Sequence, residues 1–289
     1  MGLLTNLFPP RFEGAGRALP ASAVAAGLLC APAALADGVS EHKKTVALGG
    51  AGIVKPKYEG SNEHEWLGIP IIIPKLSAED DAKPSLFKQV RQRIEFHSLD
   101  DIRIRAIGGD LFEAGLVTGY MTERKQNDGN LLRGWGDIDG GLVLGGYAGV
   151  NIGEFEFDAA ILDRVTGDGG GPEFRFGVET EREVTERITL VTRLGTTIAS
   201  SDYMQTYFGV TPAQAARSKA GLQSYDPDAG FKDIYLELGA EYDLSERWLM
   251  KGGVRYGRLV GDAADSPVVE TPDQLSGILG VAYRFDLPN

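Results

Sequence analysis

Residues 153–161 read Gly-Glu-Phe-Glu-Phe-Asp-Ala-Ala-Ile, and residues 173–181 read Glu-Phe-Arg-Phe-Gly-Val-Glu-Thr-Glu. Apolar and polar side chains alternate in both stretches, and they do so again in 101–107, 187–194 and 235–244. Because successive side chains of a β-strand point to opposite faces, this period of two predicts strands with one apolar and one polar face. The sequence therefore predicts an all-β fold.

The connections between the candidate strands alternate between short and long. Short turns at 151–152, 182–185 and 243–246 alternate with long connections such as 120–140 and 199–230. Short turns at one end, long loops at the other and an even number of strands are typical of outer-membrane barrels. We expect an antiparallel transmembrane β-barrel of about 12 strands, with ten as the alternative count because the connection 98–100 is tight where a long loop is expected. The candidate strands are 45–53, 67–76, 87–97, 101–109, 111–119, 141–150, 153–161, 172–181, 186–198, 231–242, 247–257 and 276–285.

Alternation by itself fits either a soluble sandwich, whose apolar face is the core, or a membrane barrel, whose apolar face meets lipid. The polar faces carry repeated full charges, as at Glu154, Glu156 and Asp158, which favours a wet lumen. We expect Phe155, Phe157, Phe174, Phe176, Leu236 and Leu238 to face lipid, and Glu154, Glu156, Arg175 and Glu237 to face the lumen. The closing segment, Gly280-Val-Ala-Tyr-Arg-Phe285, has the Gly-x-x-aromatic-x-aromatic form usual for the last strand of such barrels.

The N-terminal 36 residues have the form of a cleaved secretory signal peptide. Arg11 and Arg17 precede a stretch of small and apolar residues that ends in Ala34-Leu35-Ala36. A membrane anchor is the alternative, but prolines interrupt this stretch, and a membrane-spanning helix needs roughly 20 apolar residues. Lipidation at Cys30 is disfavoured by the bulky residue that precedes it. The sequence thus predicts a signal peptide at 1–36, a barrel domain at 37–289, and a location in the outer membrane of a Gram-negative bacterium.

Charge and cysteine content narrow the set of functions. The formal net charge is −12, which makes the chain a poor partner for nucleic acid. The only cysteine lies inside the predicted signal peptide, so the remaining chain needs neither a disulfide nor a thiol. Outer-membrane lipid and lipopolysaccharide are the partners that the predicted location implies.

The chain contains three histidines, and a Ser–His–acid hydrolase would need one of them. His42 precedes the first candidate strand, His64 lies in the first long loop, and His97 ends a strand close to Ser98 and Asp100. Ser, His and Asp are also common turn residues. We therefore expect no catalytic residues, and we keep a lipid-acting hydrolase as an alternative.

Three aspartates in the later loops could offer oxygen ligands to Ca²⁺. Asp228, Asp262 and Asp265 do not have the spacing of an EF-hand loop. Aspartates before a proline more often accept hydrogen bonds from the backbone of their own loop. We expect a hydrogen-bonded loop, no metal and no cofactor.

Three segments of the chain resemble the MipA/OmpV family of MltA-interacting outer-membrane proteins. The first runs from Gly49 through Tyr-Glu-Gly-Ser-Asn at 58–62 to Pro70, with asparagine at 62 where the family pattern has aspartate. The second is 201–218, Ser-Asp-Tyr-Met-Gln-Thr-Tyr-Phe-Gly-Val-Thr-Pro-Ala-Gln-Ala-Ala-Arg-Ser, and the third is 258–269, with Asp-Ala-Ala-Asp-Ser-Pro at 262–267. From these segments we take as candidate loop or binding residues Tyr58, Gly60, Ser61, Tyr207, Phe208, Gly209, Asp262, Asp265, Ser266 and Pro267.

The resemblance implies a non-enzymatic barrel that acts as a scaffold between a murein lytic transglycosylase and a penicillin-binding protein. A narrow pore for small solutes or antibiotics is a further alternative. The resembling segments fall in loops assigned to the outer side, which is an unexpected place for contacts with periplasmic enzymes. Either these loops fold into the lumen as a plug, or the assignment of inside and outside is reversed.

Overall fold

A computed structural model describes residues 45–75, 94–97, 101–167 and 169–286. The predicted signal peptide lies outside these residues and stays a prediction. Among the described residues, no helix is both long enough and apolar enough to span a membrane.

Within the described residues, twelve strands form one antiparallel sheet in the order β2-β1-β12-β11-β10-β9-β8-β7-β6-β5-β4-β3. Each candidate strand overlaps one of them, although only 94–97 of the candidate strand 87–97 lies within these residues, and the expected all-β antiparallel fold is confirmed. The strands are β1 (Thr45–Pro56), β2 (His64–Lys75), β3 (Ile94–His97), β4 (Asp101–Gly108), β5 (Phe112–Met121), β6 (Gly141–Ile152), β7 (Phe155–Arg164), β8 (Glu173–Thr185), β9 (Ile188–Ala199), β10 (Gly230–Asp243), β11 (Trp248–Leu259) and β12 (Asp273–Asp286).

The sheet is curled, and its polar face lies inside. The Lys55 ammonium at the end of β1 donates to the Thr122 hydroxyl just after β5, at 3.1 Å. These strands stand eight places apart in the sheet, so only a barrel-like wall brings them into contact. β2 and β3 are the two ends of the described sheet, and no pairing between them occurs within the residues described.

Alternation assigns the faces largely as expected. The six apolar residues predicted to face lipid are all exposed on the outer surface. Glu156, Arg175 and Glu237 turn inward and are at least partly buried. The expectation for Glu154 is wrong, because it lies in the turn before β7, exposed and paired with Arg182 at 3.0 Å.

The two ends of the barrel differ. The short turns 109–111, 153–154, 186–187 and 244–247 share one end with the start of β1 and the end of β12, which we call the turn end. The opposite end, the loop end, carries three helices: α1 (Ser201–Tyr207), α2 (Pro212–Arg217) and α3 (Gly261–Ala264). Its described connections are 57–63, 122–140, 200–229 and 260–272, together with the described part of 165–172.

Candidate functional site: a plug at the loop end

The connection 200–229 contains two short helices, and residues of the same connection cap their N-termini. The Ser200 hydroxyl accepts from the backbone N–H of Tyr203 at the start of α1. Thr211 and Gln214 form a reciprocal capping box at the start of α2. The spacing of Tyr203, Met204 and Tyr207 places all three on the inward face of α1, where they are buried.

Two apolar clusters hold the long loops together. The first joins α1 to the end of β11 and to α3. The second joins the loops 57–63, 122–140 and 260–272 with the segment after α1. We call this assembly of loops 57–63, 122–140, 200–229 and 260–272 the plug. The clusters consist of Ala199, Tyr203, Met204, Tyr207, Phe208, Leu259 and Ala263, and of Tyr58, Leu132, Trp135, Val210 and Val268.

The first resembling segment packs against the third. The Gly60 carbonyl accepts from the backbone N–H groups of Glu270 at 2.8 Å and Thr271 at 3.0 Å. Gly60 has φ +95°, and a Cβ there would lie 2.6 Å from a methyl of Val269, so only glycine fits this contact. The Tyr58 hydroxyl donates to the Val268 carbonyl at 3.3 Å, and buried Ser61 closes the turn with its N–H on the Tyr58 carbonyl.

The second segment also packs against the third. The buried Ser266 hydroxyl donates to the carbonyl of Phe208, which is fully buried, at 2.5 Å. Gly209 is buried behind Phe208 and continues the turn at the end of α1. Asp265 is exposed and ends α3 with its backbone N–H on the Gly261 carbonyl, while Pro267 is half-buried. The structure therefore brings the three segments into one body, although a binding role for these residues stays a prediction.

The aspartates considered for calcium serve the loop instead. The Asp262 carboxylate accepts from the backbone N–H of Asp228 at 2.8 Å, and the Asp262 carbonyl accepts from the Tyr225 hydroxyl at 2.9 Å. Within the part of the chain that is described, no three His, Cys, Asp or Glu side chains are grouped to hold a metal ion. These are contacts of the kind that the predicted hydrogen-bonded loop requires.

Sequence reasoning did not identify Arg124, which lies at the centre of the plug. Its guanidinium donates to the carbonyls of Tyr207 at 2.7 Å and Thr206 at 3.2 Å, and it stacks on the Trp135 ring at 3.7 Å. Burial lowers the pKa of Arg124 from its usual 12.5 to about 9, so it remains a cation at neutral pH. No pattern in the sequence distinguishes this arginine from others in the loops.

A charge cluster around the buried Lys232, which we call the latch cluster, joins the plug to the wall. The Lys232 ammonium on β10 donates to Glu173 on β8 at 2.6 Å and to Glu59 of the first loop at 2.8 Å. The Tyr203 hydroxyl of α1 donates to the same Glu59 at 2.9 Å. Burial, together with the nearby carboxylates of Glu173 and Glu59, raises the pKa of Tyr203 well above its usual range.

A second cluster, the wall network, joins strands that are not neighbours in the sheet. Asp158 on β7 accepts from Arg103 on β4 at 2.6 Å and from Arg193 on β9 at 2.6 and 2.9 Å. All three side chains are almost completely buried. The sequence predicted that Asp158 lies on the polar face of its strand. It did not predict that Arg103 and Arg193 are its partners, because the curvature of the barrel brings these strands together.

A cavity of about 580 Å³ lies between the plug and the level of the wall network. Tyr203, Tyr207 and Glu59 line it from the plug side, while Tyr235 and Arg255 line it next to Arg193. A further part of its wall is aliphatic and comes from β1, β2 and β12, with Ile53, Leu67, Ile69 and Ile278.

The one histidine whose side chain is described, His64, does not lie in a hydrolytic site. His64 is exposed, and its Nε2 lies 3.1 Å from the Leu275 carbonyl. His42 lies outside the described residues, and for His97 only the backbone in β3 is described.

Comparison with known proteins adds independent findings. A family model described as MltA-interacting protein MipA matches residues 48–285. The MltA-interacting protein of Escherichia coli (strain K12) is 33% identical over 100 residues, which is 34% of this chain and 38% of that protein. That match thus spans little more than a third of the relative's length.

Two relatives from Vibrio match over longer stretches. The outer membrane protein Omp26La of Vibrio anguillarum is 26% identical over 65% of this chain and 72% of its own length. The outer membrane protein OmpV of Vibrio cholerae is 25% identical over 61% of this chain and 67% of its own length.

Proposed function

The chain belongs to the MipA family and is an outer-membrane β-barrel, and from this premise we propose that it is a non-enzymatic binding protein for a murein lytic transglycosylase. The name of the Escherichia coli relative, an MltA-interacting protein, supplies the class of partner. A penicillin-binding protein is a second proposed partner, because a scaffold would hold murein synthesis and degradation together. Export by the signal peptide at 1–36 is part of the same proposal.

The plug is the observation that carries this proposal. The candidate residues of the three resembling segments are engaged in holding loops to one another, as in the contacts from Ser266 to Phe208 and from Tyr58 to Val268. Such residues hold the loop end of the barrel together and present no activated nucleophile. A barrel of this kind offers a surface for binding rather than reactive groups for catalysis.

The turn end is the surface that we propose for the partner. In outer-membrane barrels the short turns face the periplasm, and both chain ends of the described sheet lie at the turn end. Murein lies in the periplasm, so a transglycosylase would meet the turns rather than the plug. This removes the difficulty raised by the sequence, because the resembling loops then act as a plug on the outer side.

A matched pair of charge reversals tests this surface. Glu186 is exposed in the turn before β9, and Asp226 is exposed in the loop 200–229. Since rim charges mainly affect association, Glu186→Lys should weaken capture of the cognate transglycosylase by the purified barrel, while Asp226→Lys should not. The measurement is surface plasmon resonance with the barrel in nanodiscs. Equal loss in both variants, or no capture by the wild type, would contradict the proposal.

The hydrolase alternative predicts dependence on a histidine. We expect that replacing His42, His64 and His97 together by asparagine leaves assembly and transglycosylase capture unchanged. If the triple variant assembles normally but loses the function of the wild type, either transglycosylase capture or its role in the cell envelope, the hydrolase would be favoured.

The pore alternative predicts steady current. The plug and the wall network both cross the lumen, so we expect little conductance for large solutes from the purified wild type in planar bilayers. Large, steady single-channel currents would favour the pore.

A further inference from the structure

The cavity of about 580 Å³ inside the barrel has an aliphatic patch on a face that is usually polar in outer-membrane barrels. Leu67 of β2, Ile53 of β1 and Ile278 of β12 lie side by side in one row of the sheet, and all three line the cavity. Ile69 also lines it and lies one inward position closer to the turn end. We call these four residues the aliphatic patch.

The main row of the aliphatic patch can be reached from the cavity. Leu67, Ile53 and Ile278 are only half-buried, although they point away from the lipid. Their neighbours along the strands, Trp66 and Leu279, face outward with exposed fractions of 80% and 57%. Contact of aliphatic surface with water is unfavourable, so an apolar chain that covers the patch from inside the barrel is stabilised by that contact.

A polar row lies next to the patch, on the side of the loop end. Lys55 follows Ile53 at the next inward position of β1, and Ser276 precedes Ile278 at the next inward position of β12. Arg255 of β11 stands opposite Ser276 in the ladder. All three polar residues line the cavity and are half-buried. A ligand that contacts both rows therefore needs a polar head and an apolar chain.

The polar row presents positive charge to the cavity. Lys55 pairs with Glu65 at 3.2 Å and Arg255 pairs with Glu237 at 3.3 Å, but neither carboxylate is among the described residues that line the cavity. Within the described part of the chain, the Lys55 ammonium also donates to the Thr122 hydroxyl, which leaves one of its three hydrogens for a ligand. In the whole described lining, basic residues outnumber acidic ones by seven to four. This charge favours an anionic head.

The dimensions of the two rows suit a medium-chain acid. Ile69 lies level with Ala51, which is four residues from Lys55 along β1. At about 3.4 Å per residue, the path from the polar row to Ile69 is about 14 Å long, which is close to the length of extended decanoate. The volume of the cavity lies within the range of small-molecule sites, roughly 300–1,000 Å³.

We propose that this cavity binds a medium-chain aliphatic carboxylate. Its carboxylate lies at Lys55, Ser276 and Arg255, where the serine hydroxyl also donates to it, and its chain lies on the aliphatic patch. The site is inside the barrel, so it is independent of the proposed transglycosylase contact at the turn end.

Native mass spectrometry of the protein, purified from outer membranes in a nonionic detergent, tests this site, because it counts the ligands bound to each barrel. The probes are sodium decanoate, sodium hexanoate and 1-decanol. We expect saturable binding of one decanoate per barrel. Hexanoate covers less of the patch and 1-decanol lacks the charge, so each should bind at least about tenfold more weakly.

Two variants separate the patch from the polar row. Ile278→Ser should weaken the binding of decanoate and of 1-decanol alike by about tenfold, because it removes aliphatic surface from the site. Leu275→Ser, on the same strand but facing outward, is the matched control and should bind as the wild type does. Lys55→Met should weaken only decanoate, whereas Lys219→Met, at an exposed lysine of the loop 200–229, should change neither ligand.

Heat-modifiable gel mobility shows which variants have assembled, and Leu67→Ser replaces Ile278→Ser if the latter does not assemble. Absence of saturable decanoate binding by the assembled wild type would show that the patch takes no acyl chain and would overturn the proposal. Equal decanoate affinity in assembled Ile278→Ser and Leu275→Ser variants would do the same. Equal affinity of the wild type for decanoate and 1-decanol would exclude a carboxylate as the recognised head and would also overturn it.

Discussion

The wall of the barrel and the plug inside its loop end are stabilised in different ways. The wall depends on strand ladders, whose register places Leu194 opposite Leu236 on the outside and Arg193 opposite Glu237 on the inside. The plug has few ladders and depends on single contacts between side chains and backbone, such as those made by Arg124. The wall should therefore tolerate many sequences that keep the alternation, whereas the plug should be sensitive to individual residues.

The two regions also use buried charge differently. In the wall network every partner belongs to a strand, so its ion pairs brace the barrel itself. In the latch cluster Lys232 on the wall binds Glu59 of a loop and lies 3.2 Å from the Tyr203 hydroxyl of a helix. Loss of the first should affect folding, and loss of the second should affect the position of the plug.

The largest effect is expected at the centre of the wall network. Asp158→Ala leaves Arg103 and Arg193 buried without their shared carboxylate, and breaking a buried ion pair from one side costs about 3–5 kcal/mol. In this variant Glu156 still lies 3.5 Å from the Arg103 guanidinium, and Glu179 lies 3.6 Å from that of Arg193. We therefore expect a loss at the lower end of this range. Urea unfolding of the purified barrel in lipid would measure the loss.

Asp163→Ala is the control for that variant, because Asp163 is exposed on the same strand and, among the described residues, its carboxylate accepts a hydrogen bond only from the N–H of the next residue. A similar destabilisation in both variants would show that the wall network does not brace the barrel.

A slightly smaller effect is expected on the outer face of the wall. Leu194 is half-exposed in the middle of β9, between Val178 and Leu236. Leu194→Arg should cost about 2–4 kcal/mol near the middle of the bilayer and should slow assembly, which heat-modifiable gel mobility reports. Glu181→Arg, on the inner face of β8, should assemble normally; equal defects would mean that the faces are misassigned.

The alternation that assigns these faces was visible in the sequence, and the plug was visible only in part. Side-chain alternation is local, so it predicted the twelve strands and the inner positions of Glu156 and Glu237. The turn residue Glu154 was misassigned because alternation stops where the strand does. The resemblance of three segments indicated loops of special structure, but the contact between Ser266 and Phe208 spans 58 residues and depends on loop folding that no local pattern encodes.

At the latch cluster we expect a smaller loss of stability than in the wall. We also expect a clear effect on the position of the plug. Lys232→Met removes three hydrogen bonds of the ammonium group, while Glu173 keeps Arg175 at 3.4 Å and Glu59 can turn toward water. We expect a loss of about 2 kcal/mol and brief openings in planar bilayers that the wild type lacks.

Lys251→Met is the control for the latch, because Lys251 forms its ion pair with Glu241 between wall strands near the turn end and is partly exposed. Silent bilayers with Lys232→Met, or equal openings in both variants, would show that the latch does not hold the plug in place.

The smallest effect is expected from a single contact within the plug. Ser266→Ala removes the hydroxyl that donates to the buried Phe208 carbonyl, and a hydrogen bond of this kind contributes about 1 kcal/mol. Because this contact lies in the plug and not in a strand ladder, its loss should hardly change global unfolding, yet it should speed amide hydrogen exchange in 260–272 and at the end of α1. Ser224→Ala, at an exposed serine of the same plug, should leave exchange unchanged. If Ser266→Ala instead lowers global stability as much as Asp158→Ala does, plug and wall unfold as one unit and the distinction between them is wrong.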